Sequence, residues 1–177
     1  MNFLSERNIS LHTEYARELG NRFSIFEKSY PELKDKDARG ISRARIARGE
    51  REEALRLYCE ISAHRLFFSS FCDKCPRCGK IARAYGSEAG FLYELLTYSR
   101  EREGFLLIYT DTRGEIGYRA GREYCEVFLR YSPILALDLC EHAYFLDYGF
   151  DKYAYLKNAL SRLDLSKITK DIAKSKK

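Results

Sequence analysis

Residues 138–148 read Asp-Leu-Cys-Glu-His-Ala-Tyr-Phe-Leu-Asp-Tyr, DLCEHAYFLDY. The apolar run ILALDL at 134–139 leads into this stretch, so it reads as a strand end followed at once by a helical turn. Asp138 and His142 stand four residues apart with Glu141 between them. A carboxylate and an imidazole so placed can share one metal ion.

Upstream of this stretch, FLLIYT at 105–110 and IGYRA at 116–120 flank the turn DTRGE, which predicts a β-hairpin; CEVFLRY at 125–131 adds a further strand-like run. Before Gly104 the period is helical. Leu11, Tyr15, Leu19, Phe23, Phe26 and Tyr30 mark a first long helix that must stop at Pro31. From Ser42 to about Phe71 a second helical pattern carries Leu57, Ile61, His64 and Phe68. Two long helices joined by the polar link PELKDKDARG predict an antiparallel hairpin. Ser87 is placed to cap a helix carrying Phe91, Leu95 and Tyr98, and Asp151 opens a last amphipathic helix with Tyr155, Leu156, Leu160 and Leu163. The expected class is therefore α+β: an N-terminal helical hairpin over 1–80, a C-terminal α/β part with a small three-stranded antiparallel sheet over 81–165, and a Lys-rich tail over 166–177.

Composition excludes several classes. In 177 residues, 45% apolar and 14% aromatic content is ample for a core, which removes wholesale disorder. The longest apolar runs are far shorter than the ~20 residues of a membrane span. The N-terminus has neither a basic nor an apolar leader pattern, so a cytoplasmic address is expected. Of the net charge of +5, the last fourteen residues carry +3, leaving too little on the body for a dedicated nucleic-acid surface. There are only three His (His12, His64, His142) and no Gln.

DLCEHAYF resembles the C-terminal metal-binding motif of the iron/manganese superoxide dismutases, Asp-x-Trp-Glu-His-Ala-Tyr plus an aromatic, with Cys140 where that family has Trp. AHRLFF at 63–68 is similar to the family's Asn-His-x-x-Phe-Trp segment, and His12 falls where its first His ligand lies. ARAYGSEAGF at 82–91 and GFLLIY at 104–109 resemble its Gly-Ser helix start and first strand. The resemblance implies one iron or manganese ion per chain held by His12, His64, Asp138 and His142, superoxide as substrate, oxygen and hydrogen peroxide as products, and a homodimer. A single His on an apolar stripe is more often a hydrogen-bonded core residue. All three His of the chain falling on the family's ligand positions, with an Asp inside the most specific motif, reverses that reading.

The departures from the family pattern matter as much. The family's Gln, which hydrogen-bonds metal-bound solvent and tunes the potential, has no counterpart here. In the iron-type arrangement its place, one turn before the second His, is taken by Glu60; in the manganese-type arrangement it maps near Tyr124. The gateway Tyr position is Gly20, with Tyr15 close by as a partial substitute. The interface His and Tyr have become Ala16 and Phe145, whereas Glu141, which in the family reaches the ligand His of the other subunit, is retained.

Other signals compete with the metal motif. CDKCPRCGK, with Cys72, Cys75 and Cys78, is half a zinc knuckle lacking its second pair; the competing reading is reduced thiols. Cys75-Pro-Arg-Cys78 also has dithiol redox spacing. The run Arg39, Arg43, Arg45, Arg48 and Arg51 is interleaved with Glu50, Glu52 and Glu53, which predicts a solvated helix face and makes nucleic acid an unfavoured partner. Two alternatives stand beside the dismutase reading. One is a metal-binding homologue without dismutase activity, acting as a structural or interaction protein; the other is a zinc-stabilised nucleic-acid-binding module.

Overall fold

The computed structural model describes residues 3–168, so most of the Lys-rich tail lies outside the described residues. Ser5 caps α1 (Glu6–Ser29) by accepting from the Asn8 amide, and the helix ends just before Pro31. A short α2 (Ala38–Ser42), capped by Asp37, precedes α3 (Arg48–Ser69). The second long helix thus starts six residues later than the periodicity predicts. Arg51 bonds the carbonyls of Ala44 and Ile46, so the non-helical link is satisfied by a side chain of the helix that follows it.

α1 and α3 pack with Leu19 against Leu57 and Ile61. His12 lies beside His64 and Arg22 beside Glu53, so contacts rise along one helix as they fall along the other, which makes the pair antiparallel. Then come α4 (Gly79–Tyr85), Ser87-capped α5 (Glu88–Ser99), β1 (Phe105–Thr110) and β2 (Ile116–Gly121). α6 (Cys125–Arg130), β3 (Ser132–Asp138), α7 (Phe145–Tyr148) and Asp151-capped α8 (Lys152–Leu160) complete the described chain.

The three strands form one antiparallel sheet in the order β2-β1-β3, with a register shift between Ile108 and Tyr109 opposite Pro133. The molecule is α+β. CEVFLR is a helix and not the expected strand. The contiguous apolar residues Val127, Phe128 and Leu129 fit either period, and in the helix the last carbonyls, Leu129 and Arg130, accept from Arg39.

One main core joins both halves of the chain: Ala63 and Phe67 of α3 lie in the same buried cluster as Leu106, Leu107 and Leu135 of the sheet and Tyr155 and Leu156 of α8. Two polar ties register α3 and α1 against the C-terminal part. Ser70 Oγ accepts from the Ala136 amide at 2.8 Å. Asp147 Oδ2 accepts from the Ser5 amide and Asn8 Nδ2 at 2.9 and 3.0 Å.

Candidate metal centre

Each long helix brings one imidazole to the seam between them, and β3 ends there. His12 projects from α1, His64 from α3, Asp138 from the last position of β3, and His142 from the single 3-10 turn Glu141–Ala143 that follows. Their ligand atoms all lie within 4.8 Å of one another. Asp138 Oδ2 is 3.2, 3.6 and 2.9 Å from Nε2 of His12, His64 and His142.

The backbone around Asp138 aims its carboxylate. The Cys140 amide donates to Oδ1 at 2.9 Å and the Tyr155 hydroxyl to the Asp138 carbonyl at 2.7 Å, leaving Oδ2 for the imidazoles. On α3, His64 Nδ1 bonds the Glu60 carbonyl one turn earlier at 2.8 Å; a carbonyl only accepts, so Nδ1 holds the proton and Nε2 presents its lone pair inward. Aromatic rings wall the site: Phe67 and Phe68 beside His12, at 4.8 and 5.1 Å between centroids, and Phe105 beside His64 at 5.1 Å.

His12 Nε2, His64 Nε2 and Asp138 Oδ2 are buried without hydrogen-bond partners. Such a convergence of orphaned donors costs free energy unless something takes up the lone pairs. Three imidazoles and a carboxylate suit a mid-row transition metal, so the residues fit an iron or manganese ion. Burial drives the His64 imidazolium to deprotonate more readily. Burial acts the same way on His142 but is outweighed by the Asp138 carboxylate, and its pKa is raised. For Asp138, burial pushes upward, yet the imidazoles of His12 and His142 close to its Oδ2 prevail and hold it well below the ordinary carboxylate range.

A family model for the C-terminal domain of the iron/manganese superoxide dismutases matches residues 78–171, more than half of the chain. The chain belongs to this family. No curated protein matches it. With its dismutase-family C-terminal domain and His/His/Asp/His cluster, the chain fits a metal-dependent, dismutase-like protein.

The surroundings of this dismutase-family centre differ from expectation in several places. Glu60 is nearly buried and accepts on both oxygens, from the Tyr15 hydroxyl at 2.7 Å and from Arg56 at 2.8 Å. Tyr15 in turn packs its ring 4.8 Å from His142 and 5.5 Å from His64. Its hydroxyl is pushed far up by burial and then by Glu60. Arg56 is the participant the sequence reading missed, although its i, i+4 spacing to Glu60 was a usable signal. Tyr124 packs against Phe105 at 5.1 Å. A Cβ at Gly20 would meet nothing within 4 Å, and a groove of about 640 Å³ there reaches His64, past Ala16, Phe23 and Phe68. Glu141 is exposed.

The zinc expectation is corrected. Cys72 and Cys75 are joined as a disulfide, and neither the three-thiol site nor the reduced pair is present, because C-x-x-C in a tight turn brings the two Cα atoms to 5.4 Å. Cys78 is a free thiol buried with Ile81 and Phe91 in the main core. The Arg run is also occupied structurally: Arg39 and Arg51 bond backbone carbonyls and Arg48 pairs with Glu52. The nucleic-acid module therefore lacks its zinc, and three of the five Arg of its basic run are engaged within the chain.

Proposed function

We propose that this chain binds one iron or manganese ion through His12, His64, Asp138 and His142 and disproportionates superoxide to oxygen and hydrogen peroxide. The observation carrying this reading is the set of orphaned, buried lone pairs converging on one point in a member of the dismutase family. When bound, such a metal supplies a one-electron couple that accepts an electron from one superoxide and returns it to a second.

The chain's own residues do the rest. The carbonyl of Glu60 fixes the His64 tautomer, while Phe67 and Phe68 pack on the His12 ring and Phe105 on the His64 ring, holding both imidazoles in place. The groove past Ala16, Gly20 and Phe23 that reaches His64 gives a small anion an approach to the cluster. Tyr15 Oη, Glu60 and Arg56 form a hydrogen-bonded chain from beside the imidazoles to the surface and can hold a proton at Tyr15 Oη. No helix among the described residues is long and apolar enough to cross a membrane; a cytoplasmic address goes with this reading.

Elemental analysis paired with decay of pulse-generated superoxide tests it. About one iron or manganese per chain with accelerated decay is the expected result. Bound metal without acceleration would favour the second reading, a metal-binding homologue without turnover, which draws support from Glu60 standing where the family has an amide. A chain that takes up neither metal sinks both.

The same reading includes a homodimer through the face carrying Glu141 and His142. Leu11, Phe145, Leu146 and Phe150 are large apolar side chains left exposed on α1, on α7 and just past it, Phe150 at 89%. With Ala16 and Phe145 unable to form the family's second polar bridge, the dimer should be weak. Sedimentation equilibrium is expected to show concentration-dependent dimerisation; a monomer at every accessible concentration would refute it.

A further inference from the structure

The mechanism above leaves the Cys72–Cys75 pair unused. The two cysteines sit in the turn after α3, both half-buried, between exposed Asp73, Lys74, Pro76 and Arg77. Closing a loop of two intervening residues removes little chain entropy, so the bond is a weak staple. The turn is already held by backbone: the Cys72 amide donates to the Arg162 carbonyl, the Asp164 amide to the Ser70 carbonyl, and Phe71 bridges Leu163. Backbone pairing therefore holds Cys72 in place whether or not the sulfurs are bonded, and the Arg162 carbonyl lies beside both of them.

Their surroundings suit reversible thiol chemistry. The Arg162 carbonyl lies 3.2 Å from Cys75 Sγ and 3.9 Å from Cys72 Sγ, placed to accept a hydrogen bond from either thiol once the bond is open. A cavity of about 140 Å³ opens beside Cys72, lined by Phe68, Phe71, Asp73 and the cationic Arg162, and is large enough for a molecule of two oxygen atoms. Phe68 also lines the groove that reaches His64 and packs on His12. Phe68 thus borders both the cavity beside Cys72 and the groove that reaches His64.

We infer that Cys72 and Cys75 form a peroxide-reducing dithiol that consumes hydrogen peroxide, the product of the proposed dismutase reaction, beside the place where it is made. This rests on that reading for the source of peroxide but not for the chemistry. The Cys72 thiolate attacks one peroxide oxygen, the O–O bond breaks, and hydroxide leaves and takes up a proton as water. The Cys75 thiol then attacks the resulting sulfenic acid; the S–O bond breaks, the S–S bond forms, and a second water departs. Each sulfur gives up one electron, and the two oxygens of the peroxide gain them. A small thiol or a dithiol protein reopens the disulfide by exchange. Cys78, buried in the core, takes no part.

The full chain, reduced and freed of reductant, is titrated with hydrogen peroxide while free thiols and residual peroxide are counted; Cys72→Ser/Cys75→Ser gives the background from the other four cysteines. Wild type should lose two more thiols and consume one more peroxide per chain than this variant, and Cys78→Ser should match wild type. The same excess should persist in His142→Ala, which separates thiol chemistry from metal chemistry. Because peroxide is added directly, a negative superoxide assay leaves this outcome untouched, and a positive one cannot rescue it. Equal thiol loss in wild type and the double variant would overturn the inference, as would Cys72 and Cys75 oxidising into crosslinks between chains on a non-reducing gel.

Discussion

His64→Ala and His142→Ala will each lose bound metal and superoxide turnover together. Each change leaves three ligands drawn from separate parts of the chain, α1, α3 or the segment after β3, so the remaining donors are held together only by packing. Changes merely adjacent to a metal ligand cost about 10–100-fold in affinity, and loss of a ligand itself should exceed roughly a hundredfold, ~2.7 kcal/mol. Metal content measured after dialysis against a weak chelator checks this; full occupancy in either variant refutes the ligand assignment. A second readout is thermal stability. Metal that binds only the folded chain stabilises by about 4 kcal/mol at a thousandfold excess over Kd, so the gap in Tm between loaded and stripped wild type should vanish in both variants.

Stripped protein carries its own signature. The pKa of His142 is raised by Asp138, so its contribution is present below an unfolded value of about 6.5 and fades as pH rises through the folded one. Asp138 is held down by His12 and His142, so its share is present above about pH 4 and lost on acidification. Metal-free wild type should therefore exceed metal-free His142→Ala in stability most between about pH 4 and 6.5.

Glu60→Gln is the second large effect. Glutamine retains an acceptor for the Tyr15 hydroxyl but removes one negative charge beside the centre, while Arg56 keeps its ion pair with Glu53. A unit change in charge across a part-buried gap is worth about 1–2 kcal/mol, or ~40–90 mV for a one-electron couple, and it should raise the reduction potential. Turnover should rise by roughly tenfold if the wild-type potential is too low for one half-reaction. The Tyr15 hydroxyl is pushed up by burial and then by Glu60, so the variant should also lose its alkaline activity at lower pH than wild type. Unchanged potentials and pH profiles would remove Glu60 and Tyr15 from any role at the centre.

Much of this was legible from local signals. Ser87 and Asp151 cap the helices they were expected to start, and FLLIYT and ILALDL are the central strand and its neighbour. The structure also brings His12, His64, Asp138 and His142 together, residues singled out because the three His of the chain fell on one resembled pattern. What escaped depends on distant partners. Nothing near CEVFLR says that Arg39, some ninety positions earlier, will close it as a helix. Spacing favoured zinc or reduced thiols for Cys72 and Cys75, because the turn geometry that joins them as a disulfide is not visible in it. Glu60 was found, but its engagement by Tyr15 needed α1 and α3 to be in register.

The sheet has two outer strands, and on each a backbone group is taken by a side chain of the helical layer. On β3 the outward amide of Ala136 is taken by Ser70 Oγ, and Pro133 has no amide to offer. On β2 the Ile116 carbonyl accepts from the Tyr85 hydroxyl. An outer strand with free backbone groups is a template on which another chain can add a strand, the first step toward fibrils. With Ser70 on one border, Tyr85 on the other and Pro133 offering no amide, the fold interrupts both templates and so favours association through side-chain surfaces, where it can stay specific and reversible.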